Sequence, residues 1–197
     1  MIFRINNTLT NQLLLILVAI YLGLQIYPSL EEDLFLFNRA ILSDGELHGV
    51  AEGEWWRLVT AGFLHAGLMH LLFNCLALYT LGTPFEALYG RTRYTVLLLG
   101  SLVAGSFASI TFNAENQVSV GASGAIFGLF GALLVVGKRL GTDMRSTLTL
   151  LAINGAIAIA VPNIDWRAHL GGLFGGAAIA TIYRFTPQRR RDSNGWE

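Results

Sequence analysis

Six stretches of this 197-residue chain contain no Asp, Glu, Lys or Arg: residues 5–30, 58–85, 94–114, 116–137, 146–164 and 168–183. Crossing a bilayer takes about 20 apolar residues, with a range of about 17–25. Five stretches meet that length. The sixth reaches residue 185 when Arg184 lays its stem along hydrocarbon and keeps its head at the interface. Charged residues make up 13% of the chain, against about 25% in soluble domains, and the mean hydropathy is +0.54. The expected fold is all-α, a polytopic membrane protein with a compact bundle of six transmembrane helices and an interfacial first loop. The chain reads as a single domain, 1–197, with spans at about 10–30, 66–85, 94–113, 122–138, 146–162 and 167–185. The first run is too long for a signal peptide and lacks a small-residue cleavage site, so it reads as a retained span.

Basic residues orient membrane proteins because they stay on the cytoplasmic side. With the N-terminus inside, the cytoplasmic segments hold Arg4, Arg91, Arg93, Lys138, Arg139, Arg145, Arg184 and Arg189 to Arg191, which is 10 of 13. The outer segments hold Arg39, Arg57 and Arg167, with 9 of the 13 acids. Both termini are therefore expected in the cytoplasm of a cell whose inner membrane holds the protein. The zero net charge is two opposite imbalances, and it offers no overall field for nucleic acid. The lipid bilayer is the expected partner. A single cysteine, Cys75, excludes a disulfide framework and reads as a packing residue.

The first connection, 31–57, carries Phe35-Leu36-Phe37 and Trp55-Trp56, content suited to a segment lying in the membrane interface. The tail after Pro187 is short and basic.

Polar residues within spans are expensive and point to function. They are His65, His70 and Asn74 around the second span, Ser123 in the fourth, and His169 opening the sixth. His70 and Asn74, four apart, share a helix face. Gly62 and Gly67 weaken a helix beginning at Leu58, so the second helix is expected to start near Gly67. A serine favours the N-cap, which predicts a fourth helix opening at Ser123 after irregular chain over 116–122. All three spans then place their polar residue in the outer third of the bilayer. Gly124, Gly128 and Gly131 in the fourth span, and Gly171, Gly172, Gly175 and Gly176 in the sixth, would let two helix backbones approach closely. That approach would bring Ser123 within reach of His169, the arrangement of an activated nucleophile and its base. Asp165, one turn before His169, is either an orienting acid or a solvated loop-edge residue. The opening turn of the fourth helix would aim N–H groups at a developing oxyanion, with His70 and Asn74 as further donors.

The sequence resembles a rhomboid intramembrane serine protease of the minimal six-span bacterial type over about residues 10–185. Gly121-Ala122-Ser123-Gly124 matches the family's Gly-x-Ser-x signature. His65, His70 and Asn74 match its second span, and Ala168-His169-Leu170-Gly171-Gly172 its sixth. Trp56-Arg57 matches the Trp-Arg pair of the first loop. A turn reading Gly82 to Gly90, with Glu86 within it, resembles the family's Gly-x-x-x-Glu-x-x-x-Gly. The resemblance implies a Ser123–His169 dyad and an oxyanion hole of the Ser123 backbone, His70 and Asn74. His65, Gly121, Gly124, Phe127, Trp56, Arg57 and Glu86 would support the site structurally. Phe127 stands where many members carry tyrosine. The implied activity is cleavage of membrane-spanning protein substrates near the outer face, entered past the fifth span, without cofactor or metal and without regulation by an extramembrane domain. The oligomeric state is not indicated. The alternative is a catalytically silent rhomboid-like factor that binds membrane proteins. A transporter would need paired broken spans or a repeat. A histidine-only zinc site at His65, His70 and His169 would need the support of a His-Glu-x-x-His motif. The sequence has neither.

Overall fold

The computed structural model describes residues 7–162 and 164–186. Arg4 and Arg189 to Arg191, and with them the basic tail, lie outside the described residues.

Helix α1 (Leu9–Ile26) opens with Thr8 as N-cap, its hydroxyl accepting from the Asn11 amide, and closes four residues before the expected end of the first span. Chain 27–67 is mostly turns, with a hairpin of β1 (Ala40–Ile41) and β2 (Leu47–His48) and the short helix α2 (Arg57–Thr60). Ala40 pairs with His48 and Ile41 with Leu47. The hairpin is a local feature of the first loop, and the fold is otherwise helical, as expected. Leu36, Val50, Leu58 and Ala61 form a small apolar cluster of their own beneath this segment.

Helix α3 (Leu68–Phe112) is 45 residues long and is really two helical arms, 68–89 and 91–112, joined at Gly90. Gly90 has φ of 72°, a left-handed conformation that glycine adopts without steric cost. The turn expected over 82–90 is therefore a correction: Gly82 to Tyr89 stay helical through Pro84, and a single residue reverses the chain. The arms lie side by side, since a methyl group at Gly82 would strike the Tyr94 hydroxyl. Glu86 accepts hydrogen bonds from the Leu9 amide at 2.6 Å, the Thr10 amide at 2.9 Å and the Thr10 hydroxyl at 2.8 Å. A carboxylate on these N–H groups stabilises the start of α1.

Helix α4 (Ser123–Val136) is buried on every side from Gly124 to Leu133, as a helix at the centre of a bundle must be. Helix α5 (Met144–Ala160), capped by Asp143, buries only Thr147 and Ala158. Helix α6 (Trp166–Phe185) packs against α4 and α3. Leu9–Ile26, Leu68–Phe112 and Ser123–Leu140 are long and apolar enough to cross a membrane, and Met144–Ala160 is apolar but shorter. At 1.5 Å per residue, α3 has about 68 Å of helix, enough for two crossings of a hydrocarbon core about 30 Å thick. Phe73, Phe112, Ile159 and Phe174, each more than 60% exposed, turn apolar surface outward from four different helical segments. Such a girdle belongs in lipid.

Candidate active site

Helices α4 and α6 meet backbone to backbone. A methyl group on Gly172 would collide with the Gly124 carbonyl, one on Gly176 with the Gly128 carbonyl, and one on Gly131 with the Leu173 carbonyl. Gly105 of α3 completes the junction, with space for a methyl blocked by the Ala168 carbonyl at 2.7 Å. No larger side chains could hold the two helix openings so close.

Ser123 Oγ and His169 Nε2 are 2.8 Å apart in consequence, the hydroxyl placed to donate to the ring nitrogen. Ser123 is the first residue of α4, and Ala122 holds the cap position with no side-chain cap bond. The expected N-cap role of Ser123 is thus corrected. A capping hydroxyl accepts from its own helix, whereas this one reaches across to α6. His169 is buried, and the Phe127 ring lies parallel to it with centroids 4.1 Å apart and 9° between planes. Phe127, one turn after Ser123, is thus a wall of the site.

Asp165 is neither of the things expected of it. It is the N-cap of α6, half-buried, and its Oδ1 accepts from the Ala168 amide at 3.1 Å. Among the described residues, His169 Nδ1 has no hydrogen-bond partner. The serine and histidine stand as a pair without a bonded acid.

Gly121 holds φ of 122°, and a methyl there would lie 2.8 Å from His70 Cε1 and 2.9 Å from His70 Nε2. Glycine is required twice over, for its dihedral and for the ring beside it. His70 therefore borders the same space as Ser123. Helix α3 begins at Leu68 with Gly67 at its N-cap, so His70 sits in its first turn, as expected. Asn74 is buried, and its amide donates to the His70 carbonyl at 2.9 Å within its own helix. His65 is buried against His70 in an edge-on contact, centroids 5.1 Å apart.

The segment leading to Ser123 is irregular over 113–122 and tied to the first loop. Leu36 and Ser119 exchange backbone hydrogen bonds of 3.2 and 2.8 Å, and the Gly121 amide donates to the Ala61 carbonyl at 2.9 Å. That loop is itself pinned by Arg57, which is fully buried. Its guanidinium donates to Glu54 Oε2 at 2.5 Å and to the carbonyls of Glu32 and Phe35 at 2.6 and 2.9 Å, and it lies over the Phe37 ring. Trp56 donates to the Asp33 carbonyl at 3.0 Å. Glu86 is the exception among the expected supports: it caps α1 at the far end of the first α3 arm, well away from Ser123.

Sequence reading missed the small residues of the second α3 arm. A methyl on Gly171 would meet Ala108 and the Ala104 carbonyl, and one on Gly128 would meet Ser101. The four-residue spacing of Ser101, Gly105 and Ser109, all buried, was the available signal. Arg167, an outer charge by sequence, donates to Asn113 Oδ1 at 2.8 Å and ties the start of α6 to the end of α3.

A model of the Rhomboid domain family matches residues 52–185. Rhomboid protease GluP of Bacillus subtilis is 44% identical over 135 residues, covering 64% of this chain and 26% of that protein. Putative rhomboid protease YdcA of the same organism is 37% identical over 147 residues, covering 72% of this chain and 74% of that one. RHOMBOID-like protein 6, mitochondrial, of Arabidopsis thaliana is 37% identical over 155 residues, 75% of this chain and 48% of that protein. The chain thus spans about a quarter of GluP and most of YdcA. With its apolar helices, it is an integral membrane protein and belongs to the rhomboid family.

Proposed function

We propose that this chain is an intramembrane serine endopeptidase that cleaves membrane-anchored proteins near the outer membrane face, with Ser123 as nucleophile and His169 as its base. The observation that carries this reading is the 2.8 Å contact between Ser123 Oγ and His169 Nε2. Helices packed on glycines fix that contact, so little reorganisation precedes attack.

In the acylation step, Ser123 Oγ bonds to the scissile carbonyl carbon while its proton passes to His169 Nε2. The resulting imidazolium faces the Phe127 ring, whose π-system favours a cation. The oxyanion meets the Ser123 amide at the positive end of α4, with the His70 side chain beside it. The C–N bond then breaks, and His169 returns the proton to the leaving amine. Water, deprotonated by the same nitrogen, releases the acyl group and restores the serine.

The chain forms one membrane domain of six crossings with both termini in the cytoplasm of a bacterium-like cell. The charge distribution supports this. The end of the bundle that holds Ser123 carries the acidic first loop, and the far end carries Arg91, Arg93, Lys138 and Arg139. Helix α5 is the proposed side entrance for substrate, because it buries only two residues and nothing lies within 4 Å of a methyl placed on Gly155.

A fluorophosphonate probe tests the pair directly. Label is expected on Ser123, retained in Ser119→Ala and lost in both Ser123→Ala and His169→Ala. Undiminished labelling of folded His169→Ala would remove histidine from the mechanism.

A further inference from the structure

At the end of the bundle farthest from Ser123, a cavity of about 350 Å³ opens between the first α3 arm, the turn after α4 and the end of α6. Its walls include Tyr89, Arg139, Tyr183, Arg184 and Phe185. The volume falls within the range of about 300–1,000 Å³ usual for small-molecule sites. Tyr89 and Tyr183 meet edge to face with centroids 5.2 Å apart. Tyr183 is held from behind, its hydroxyl donating to the Arg93 carbonyl at 3.3 Å and the Arg93 guanidinium lying 5.1 Å from its ring centroid. Both contacts orient the Tyr183 ring against Tyr89.

Three of the polar groups on that wall, unlike the Tyr183 hydroxyl, lack partners among the described residues. The Tyr89 hydroxyl is buried without a hydrogen bond among the described residues. Such groups in native proteins normally have one, from protein, water or ligand. Arg139 and Arg184 are exposed at its mouth and enter no hydrogen bond or ion pair among the described residues, so their guanidinium groups face water and any ligand there. The acids nearby are committed elsewhere, Glu86 to the start of α1 and Asp143 to the start of α5. Two guanidinium groups and a phenol hydroxyl around one cavity make a site for an oxyanion, and arginine suits phosphate best. The rim is apolar: Phe185 is 79% exposed and Ile182, one turn before it, 59%. A soluble phosphate ester would gain nothing from that surface, whereas an acyl chain would.

We infer that this cavity binds the phosphate headgroup of an anionic phospholipid, with Arg139 and Arg184 on its oxygens, Tyr89 donating to it, and the acyl chains along Ile182 and Phe185. Basic pockets between helix ends on the cytoplasmic side are suited to such headgroups. The inference rests on the membrane placement proposed above and is independent of any hydrolytic activity.

The test is native mass spectrometry of the purified full chain in detergent micelles doped with phosphatidylglycerol or phosphatidylcholine. One phosphatidylglycerol per chain is expected in preference to phosphatidylcholine. Replacing both arginines (Arg139→Gln with Arg184→Gln) is expected to weaken binding roughly tenfold or more, and Tyr89→Phe by roughly threefold. Arg145→Gln, an exposed arginine at the same end but outside the cavity, is expected to bind as wild type. Thermal unfolding checks that each variant is folded. Equal loss in Arg145→Gln, or no loss in the folded double variant, overturns the site. Displacement of the lipid by millimolar glycerol 3-phosphate overturns the lipid assignment in favour of a soluble phosphate ester. Because proteolysis is not the readout, an inactive enzyme would leave this result intact.

Discussion

Phe127 and His169 face each other as parallel rings 4.1 Å apart, on two helices that their glycines bring into backbone contact. The stack fixes the plane of the imidazole, a task that a bonded carboxylate performs in serine hydrolases with a third member. Asp165 Oδ1 accepts from the Ala168 amide and not from His169, so the ring is held by the Phe127 face together with the Ser123 contact.

Replacing that ring should therefore act on turnover. Ring pairs contribute about 0.5–1.5 kcal/mol beyond their buried area. Phe127→Ala is expected to lower kcat by roughly tenfold, and Phe127→Tyr to leave it within about twofold, since the added hydroxyl keeps the stack. Initial rates on a reconstituted substrate, with KM determined separately, decide this. Equal loss in both variants would show that volume matters there and stacking does not.

His70 and Asn74 should differ in weight. His70 borders the Ser123 space directly through Gly121, whereas the Asn74 amide is bonded back to the His70 carbonyl. Loss of one oxyanion donor costs about 2.7–4 kcal/mol. His70→Ala is expected to approach that loss in kcat, and Asn74→Ala to fall well short of it. Single-turnover rates separate the two, and the reverse order would relocate the oxyanion toward Asn74.

Gly172 and Gly155 make a matched pair. A methyl at Gly172 strikes the Gly124 carbonyl, and one at Gly155 meets nothing. Overpacking a tight interface costs about 1–3 kcal/mol, so Gly172→Ala should unfold at lower temperature and lose the Ser123–His169 contact. Gly155→Ala should be neutral or stabilising, by up to about 1 kcal/mol, since alanine favours helix. Thermal unfolding in detergent, followed by activity, reads both.

What was legible in the sequence was local or periodic. His70 and Asn74 share a face because they are four apart, and the glycines of α4 and α6 announce close packing by their spacing. Gly67 as the start of α3 followed from helix propensity. What was hidden depends on partners far along the chain. Glu86 caps a helix 77 residues before it, and nothing in its neighbourhood points there. The turn contracts to one left-handed glycine at Gly90 because Glu86, Ala87 and Leu88 are strong helix formers that carry the helix up to it. Asp165 stands one turn before His169 in the sequence, but its Oδ1 caps α6 by accepting from the Ala168 amide. Ser123 at the helix opening was correctly placed, but its hydroxyl crosses to α6 where a local rule would bond it to α4.

The first loop should respond to pH through His48. Both ring nitrogens face carboxylates, Nδ1 with Glu54 at 2.7 Å and Nε2 with Asp44 at 2.9 Å, which only the imidazolium satisfies. The Glu54 bond, then the Asp44 bond, raises His48 above its ordinary value of 6.5. Its contribution is present in full below 6.5 and is lost as pH rises through the raised value. Glu54 moves the other way: partial burial opposes ionisation, but bonds from His48 and Arg57 hold it below its ordinary 4.5. Its contribution is lost as pH falls through that lowered value. The loop should be tightest between about pH 5 and 6.5. Limited proteolysis within 42–49 across pH 5–9 should accelerate on the alkaline side, and His48→Gln should flatten the profile.

The central claim is that Ser123 and His169 together cut a membrane-anchored chain. The most direct measurement is cleavage of a single-span reporter protein by purified enzyme in proteoliposomes, comparing wild type with folded Ser123→Ala and His169→Ala. The expected result is cleavage by wild type and a fall of roughly 10³-fold or more in each variant. Equal cleavage by all three proteins would contradict it.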